Sequence, residues 1–251
     1  MLCANISIRC IIKRRRMEIC VSLLLGSFAW GQAPTVTARV EFQKSGGLEN
    51  PTSASNVAMW LTPLNLSAGV ADESPRRPRP RLVQRNKHFE PHIIVVPVGS
   101  SVEFPNRDPF FHNVFSLFEG KRFDLGLYEA GTTRDVHFDR PGISYIFCNI
   151  HPEMSAVVIA VETPYYALSN RRGEVEIKNV TPGRYLLRVW SEASLPDHLR
   201  NQAREITISE NTSRLGTIRL MQIPVTHAHK NKYGQDYEPP SPSSPAYERR
   251  P

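Results

Sequence analysis

The chain has 251 residues, of which 31 are lysine or arginine and 24 are aspartate or glutamate, for a formal net charge of +7. Five of the basic residues and one acidic residue lie in residues 1–31, so the remainder carries only +3. Such a small excess does not indicate nucleic-acid binding, and we expect none. The chain is long enough to bury one or two hydrophobic cores without disulfide support.

Residues 1–31 have the organisation of an export signal. A basic cluster at 13–16 precedes an apolar run at 19–28, and small residues follow that run. This order is typical of a cleavable signal peptide, and the apolar run is too short to span a bilayer. We therefore expect a periplasmic or exported protein with no membrane span after cleavage. An N-terminal anchor, or translation from Met17, is the alternative.

Removal of the predicted signal changes the number of cysteines. Cys3, Cys10 and Cys20 lie in the predicted signal, so the mature chain keeps only Cys148. An exported protein with one cysteine forms no internal disulfide. Cys148 is then either a buried structural thiol or a functional group.

The first predicted strands lie in residues 32–66. Residues 35–42 alternate apolar and polar side chains, and residues 56–61 form a second strand candidate that stops at a proline. Residues 67–80 are rich in proline and arginine, so we expect an extended, solvated loop. A basic docking strip for an acidic partner is the alternative for this loop.

Residues 81–162 contain short strand patterns and no helical period of useful length. The strand candidates are 81–84, 93–96, 101–104, 114–118, 132–138, 143–148 and 156–161. Short strands at this spacing predict an all-β sandwich or Greek-key barrel.

Four metal-donor side chains occur within this region. Cys148, His151 and Met154 share one loop in a Cys-x2-His-x2-Met spacing, and His112 opens a strand far away in the sequence. One strand ends at Cys148, at one end of the sandwich. His112 opens another strand, which can begin at that same end. Thiolate, two imidazoles and a weak axial thioether are the ligands of a blue-copper electron-transfer site.

Neighbouring residues have supporting roles in this interpretation. We expect Asn113 to hydrogen-bond to the Cys148 loop, as residues around a metal site do, and Pro152 to stiffen the loop. Pro109, Phe110 and Phe111 are predicted to form an apolar collar where a redox partner docks.

Residues 81–162 resemble a cupredoxin of the amicyanin and plastocyanin type. The motifs that carry this resemblance are Phe104-Pro105-Asn106, His112-Asn113-Val114, Pro141-Gly142, Tyr145-Ile146-Phe147-Cys148 and His151-Pro152 with Met154. The resemblance implies one type 1 copper ion held by His112, Cys148, His151 and Met154. It also implies electron shuttling and no enzymatic turnover.

The remaining histidines are predicted to have no specific role. We interpret His88 and His92 as surface or packing residues and His137 as structural. His227 and His229 lie in a polar segment that we expect to capture metal weakly at most.

Residues 163–222 form a second β unit. The patterns at 173–177 and 184–190, with the turn Pro182-Gly183, resemble a carboxypeptidase regulatory-like, transthyretin-like sandwich. In that family the opening strands resemble residues 32–66, so we expect the cupredoxin unit to be inserted into this sandwich. Residues 223–251 are predicted to be a disordered tail because proline, serine and lysine dominate them.

Two classes of function remain open. The first is an electron carrier for a periplasmic partner such as a cytochrome c or a dehydrogenase. The second is copper storage or delivery, or a surface-binding module with a structural copper. Few exposed methionine motifs are available for delivery, since the chain has only five methionines.

Overall fold

The computed structural model describes residues 33–43, 53–65, 78–117, 120–210 and 214–237. The predicted signal at 1–31, most of the loop at 67–80 and residues 238–251 lie outside these ranges. The described part is all-β apart from one short helix. Within it, no helix is long and apolar enough to cross a membrane.

The strands fall into three groups along the chain. The first group is β1 (Val36–Gln43) and β2 (Ala58–Pro63). The middle group is β3 (Val83–Arg85), β4 (His88–Glu90), β5 (Ile93–Pro97), β6 (Ser100–Pro105), β7 (His112–Ser116), β8 (Phe123–Tyr128), β9 (Thr133–Phe138), β10 (Gly142–Cys148) and β11 (Ser155–Val161). The last group is β12 (Tyr166–Leu168), β13 (Glu174–Ile177), β14 (Gly183–Trp190), the helix α1 (Pro196–Asn201), β15 (Arg204–Ile208) and β16 (Arg214–Met221).

The middle strands build one region around their own core. A five-stranded sheet has the order β5-β11-β10-β7-β8, in which β5 and β11 are parallel and the other pairs antiparallel. The pair β6-β9 and the hairpin β3-β4 complete this region, and single bridges join residues 81 and 84 to residues 103 and 106. A core that includes Phe104, Phe138 and Ile146 lies inside it.

The first and last groups of strands build the second region together. β1 pairs antiparallel with β13 and parallel with β16. β2 lies between β12 and β14 in a four-stranded antiparallel sheet that ends with β15. Neither β1 nor β2 pairs with a described strand of residues 81–96. Insertion of the middle region between β2 and β12 requires β1 and β2 to pair with strands of the last group, as they do here.

β11 belongs to both cores. Its alternation directs Ala156, Val158 and Ala160 into the middle core. The opposite face directs Val157, Ile159 and Val161 into the core of the second region. All six side chains are at most 4% exposed. Because burial of a valine or isoleucine contributes roughly 1.5–3 kcal/mol, this strand holds the two regions together.

Several elements were not predicted from the sequence. The strands β4, β8 and β12 lie in segments without a clear alternation, and the helix α1 is only six residues long. A proline occupies the first turn of α1, where its missing N–H costs nothing.

The predicted disordered tail starts at residue 223, and the structure describes its first part, residues 223–237. These residues have no regular secondary structure, and residues 229–237 pack on the end of β10 and on the loop that follows it. Aromatic and hydrogen-bonding side chains within the polar sequence make these contacts, which composition alone does not reveal.

The contact between β1 and the last group of strands depends on a glycine. Gly173 has a φ of +75°, its carbonyl accepts a 2.7 Å hydrogen bond from the Val40 N–H, and a Cβ here would lie 2.2 Å from Val40 O. Gly216 has a similar φ of +73°, but a Cβ there would meet nothing within 4 Å.

We expect Gly173→Ala to destabilise the protein more than Gly216→Ala does. Both substitutions carry the conformational penalty of a positive φ, so their difference reports the clash with β1, at about 1–3 kcal/mol. Denaturant unfolding of the full chain measures it. Equal losses in the two variants would show that β1 is not held against Gly173.

Candidate metal centre

Three potential metal donors meet at one end of the five-stranded sheet. β10 ends at Cys148, and β7 begins at His112 on the neighbouring antiparallel strand. Cys148 Sγ lies 3.5 Å from His112 Nδ1 and 3.5 Å from His151 Nδ1. The most exposed of the three residues is His151, at 7%. The structure thus brings together three of the four donors that the sequence predicted.

The alternation of β10 explains why Cys148 points inward. Ser144, Ile146 and Cys148 are buried on the face toward the middle core, and Tyr145 and Phe147 are on the other face. A cysteine at an even step from Ile146 must share its face. The sequence of β10 therefore fixes the direction of the sulfur.

Met154 returns to the same interior through a closed loop. The Cys148 N–H donates to the Met154 carbonyl at 3.1 Å, and the Met154 N–H donates to the His151 carbonyl at 3.1 Å. Met154 is fully buried in the same core as Cys148. The loop is thus closed by its own main chain, with the fourth predicted donor next to the other three.

Asp108 orients the imidazole of His112. Its Oδ2 lies 2.9 Å from His112 Nε2, and Asp108 is only 4% exposed. A carboxylate acceptor places the ring proton on Nε2 and leaves the lone pair on Nδ1, toward Cys148. Carboxylate–histidine pairs of this kind orient metal ligands and raise their basicity.

The β3-β4 hairpin holds Asp108 in turn. The two turn residues Asn86 and Lys87 have φ values of 54° and 60°, as a tight two-residue hairpin requires. Their N–H groups donate to the Asp108 carboxylate at 2.5 and 3.0 Å. Burial alone would raise the pKa of Asp108, but these hydrogen bonds and His112 hold the pKa below its usual value. Asp108 therefore remains a carboxylate.

Asp108 was not predicted as a functional residue. The only sequence feature that could have indicated its role is its position four residues before His112, a candidate ligand. The hairpin that holds it is more than twenty residues earlier in the sequence, so the sequence did not show that Asp108 is buried and anchored.

The protonation states suit a cation at the centre. Burial, the charge of His112 and the charge of Lys87 lower the pKa of His151 to about 4. Burial also lowers the pKa of His112, although Asp108 opposes this. Both imidazoles are therefore neutral at pH 7 and offer lone pairs.

The thiol of Cys148 requires a positive charge nearby to ionise. Burial raises its pKa, while hydrogen bonds from the main-chain N–H groups of Asn113, Ile150 and His151 oppose this shift. A bound metal ion supplies the missing charge, because a coordinating thiol is deprotonated. The main-chain donors then stabilise the thiolate.

The residues present fit a type 1 copper ion. Separations of 3.5 Å between the sulfur and each imidazole nitrogen suit ligands bonded at about 2.0–2.3 Å. One thiolate, two imidazoles and a buried thioether form the soft donor set of such sites. Hard, oxygen-seeking cations are excluded by the same chemistry.

The supporting roles of Asn113 and Pro152 differ in detail from the prediction. The Asn113 main-chain carbonyl accepts a 2.8 Å hydrogen bond from the Asn149 N–H, so the contact to the Cys148 loop is made by the backbone. The Asn113 side chain donates instead to Asp124, at 2.6 Å. Pro152 is exposed in the turn of the loop.

The predicted apolar collar is divided between a packing residue and exposed residues. Phe110 is half-buried, and its ring centroid lies 5.3 Å from that of His112 and 5.5 Å from that of His151. Pro109 is exposed, and Phe111 is 51% exposed. Phe110 thus shields the imidazoles, while the other two face solvent.

The C-terminal segment contacts the metal loop, which the sequence did not indicate. His229 stacks on Phe147 with ring centroids 4.3 Å apart, and Tyr237 Oη donates to the Cys148 carbonyl at 2.8 Å. Lys232 binds through its N–H to Asn149 Oδ1 and through Nζ to Asp124, each at 2.8 Å. His229 is therefore a packing residue beside the centre.

Known structures similar to this chain include copper proteins. A purple cupredoxin from Nitrosopumilus maritimus is 22% identical over 33% of this chain and 99% of its own, with a TM-score of 0.31. A reduced amicyanin variant is 22% identical over 41% of this chain and 99% of its own, with a TM-score of 0.31. A copper-containing nitrite reductase from Thermus scotoductus is 20% identical over 49% of this chain and 28% of its own, with a TM-score of 0.33.

No protein-family model and no curated protein matches the chain. The similarity to the purple cupredoxin covers about a third of the chain. The copper assignment rests on the four donors and their surroundings.

We expect Asp108→Asn to weaken copper binding by about 10–100-fold. The amide cannot accept from both turn N–H groups and His112 at once, so the imidazole loses its fixed orientation. Competition with a chelator measures the affinity. Asp135→Asn, an exposed carboxylate on β9, is the matched control. Unchanged affinity in Asp108→Asn would rule out this role.

Tyr237→Phe is expected to lower the free energy of unfolding by about 0.5–1.5 kcal/mol, because the Cys148 carbonyl loses a hydrogen bond. Tyr233, which is 72% exposed, provides the control Tyr233→Phe in the same segment. Thermal unfolding of the full chain compares the two variants. If both leave stability unchanged, the hydrogen bond from Tyr237 to the Cys148 carbonyl does not stabilise the protein in solution.

Proposed function

We propose that this protein is an exported blue copper protein that carries single electrons between redox partners and catalyses no reaction of its own. The observation that carries the proposal is the buried, preformed His112–Cys148–His151 group with Met154 in the same closed loop. In the proposal all four residues are ligands, with Cys148 as thiolate and Met154 as weak axial ligand. Copper bound there supplies a one-electron couple.

The chain's own contacts support electron transfer by keeping the ligands in place. Asp108 fixes His112, and main-chain hydrogen bonds close the loop from Cys148 to Met154. Phe110 packs on both imidazoles and excludes water. Ligands that are already held in position rearrange little when the charge of the centre changes.

Exposed apolar side chains near the centre support a docking role. Phe111 is 51% exposed and Leu127 is 60% exposed, and Leu127 lies opposite Asn113 in the pairing of β7 with β8. Contiguous apolar patches on a surface mark interaction sites, and in the proposal Phe111 and Leu127 belong to one such patch. We propose a cytochrome c or a periplasmic dehydrogenase as the partner, in keeping with the predicted export signal.

A second candidate is a surface-binding module in which the copper is structural. Two observations favour it: His151 is only 7% exposed, and Tyr237 holds the C-terminal segment on the Cys148 loop. Burial of the whole donor set disfavours copper delivery, because delivery needs an accessible ion. The transthyretin-like assignment of residues 32–66 and 163–222 remains a hypothesis about what this module is.

The visible spectrum of the full chain loaded with Cu(II) tests the proposal. We expect an intense thiolate-to-copper band that disappears in Cys148→Ser. When the colourless reduced protein is mixed with oxidised cytochrome c, the copper should be oxidised as the cytochrome is reduced, so the thiolate-to-copper band should appear together with the spectrum of reduced cytochrome c. A pale protein with bound copper would overturn the type 1 site. An intensely coloured protein that exchanges no electrons would favour the structural role.

A further inference from the structure

A second cluster of metal-donor side chains lies away from the Cys148 centre. His92 precedes β5, Glu192 follows β14, and His227 belongs to the segment after β16. One donor atom from each lies within 4.8 Å of the other two. Three parts of the chain that are distant in sequence thus bring two imidazoles and one carboxylate together.

Hydrogen bonds at this cluster orient His92 as a ligand. Its Nδ1 lies 3.0 Å from the Ser155 carbonyl, which only accepts, so this nitrogen carries a proton. The lone pair of the neutral ring is then on Nε2, which lies 2.7 Å from Glu192 Oε2. A hydrogen bond from the second nitrogen to a backbone carbonyl is the usual support of a histidine metal ligand.

The contact between His92 and Glu192 requires a cation. Two lone-pair atoms at 2.7 Å repel each other unless a proton or a metal ion lies between them. Without metal, a proton between His92 Nε2 and Glu192 Oε2 has this role. A divalent ion replaces that proton and neutralises Glu192 as well.

His227 supplies the third donor from the solvent side. Its ring centroid lies 4.9 Å from that of His92 in an edge arrangement, and its Nδ1 lies 3.2 Å from Ser155 Oγ. His92 and Glu192 have side-chain exposures of 29% and 20%, and His227 is exposed. Two donors are thus held by the fold, and the third approaches from an exposed segment.

The cluster lines a cavity of about 210 Å³, and Ser53, Ser55 and Asn56 also line it. A metal ion held by three protein ligands at the wall of a cavity has a coordination position left for water or a small ligand. Open positions of this kind distinguish reactive zinc sites from closed structural ones.

We propose that His92, Glu192 and His227 form a second metal site, for a divalent first-row transition ion such as Zn²⁺, with an open position facing the cavity. Imidazole and carboxylate donors without sulfur suit Zn²⁺ and similar ions. The Cys148 centre has thiolate and thioether donors instead, so the two sites differ in the metal that they prefer.

The test uses the full chain with its Cys148 centre already filled with copper. Titration with Zn²⁺ by calorimetry should show one further ion per chain. Glu192→Gln and His227→Ala should each weaken this binding by at least ~10-fold, since losing a ligand costs no less than losing an outer-shell partner. His88→Ala, an exposed histidine on β4, should leave it unchanged.

An unchanged copper spectrum in each variant shows that the fold is intact. The proposal is overturned if no Zn²⁺ binds beyond the copper, or if Glu192→Gln and His227→Ala bind it as tightly as the wild type. If the Cys148 centre holds no copper, the same variants still test the proposal. The quantity compared is then the part of the Zn²⁺ affinity that is lost in Glu192→Gln and His227→Ala.

Discussion

The structure depends on one strand that is buried on both faces. β11 follows the metal loop directly and directs Val158 into the middle core and Ile159 into the core of the second region. β10, which ends in Cys148, lies beside it and is covered in the same way, with Tyr145 packed on the second core. An apolar sheet face in a protein must be covered. The second region covers the outer face of the sheet that presents Cys148, so it is a structural part of the metal domain.

A short series of hydrogen bonds stabilises the buried negative charge of Asp108 beside the candidate copper centre. The Asp108 carboxylate is removed from water, which is costly unless hydrogen bonds replace the lost solvation. Two turn N–H groups and the His112 ring supply them. Asp108 in turn sets the tautomer of His112, so the position of a metal ligand depends on the conformation of a hairpin turn far from it in sequence.

The sequence predicts what depends on local pattern. The alternation in β1 and β10, and the spacing of Cys148 to Met154, identified the strands and the donors because neighbouring residues determine the face on which a side chain lies. Other roles arise only when distant segments meet. Asp108 needs the Asn86–Lys87 turn, and His92 needs Glu192, which follows a strand in the other region. The contacts of Tyr237 lie in a segment whose composition resembles that of disordered chains. Pairwise contacts over such separations leave no local signal.

The pairing of β1 with β16 also determines the order in which the chain can assemble. β1 is the first described strand in the sequence, and its parallel partner β16 is the last. Contacts between segments so far apart in sequence form late, because the loop between them must close first. Every strand of the middle region lies between these two in the sequence, so β5 to β11 can pair while β1 still lacks a partner. The outer face of β11 is therefore covered only when strands from both sides of the middle region, β1 and β2 with β13 to β16, have come together.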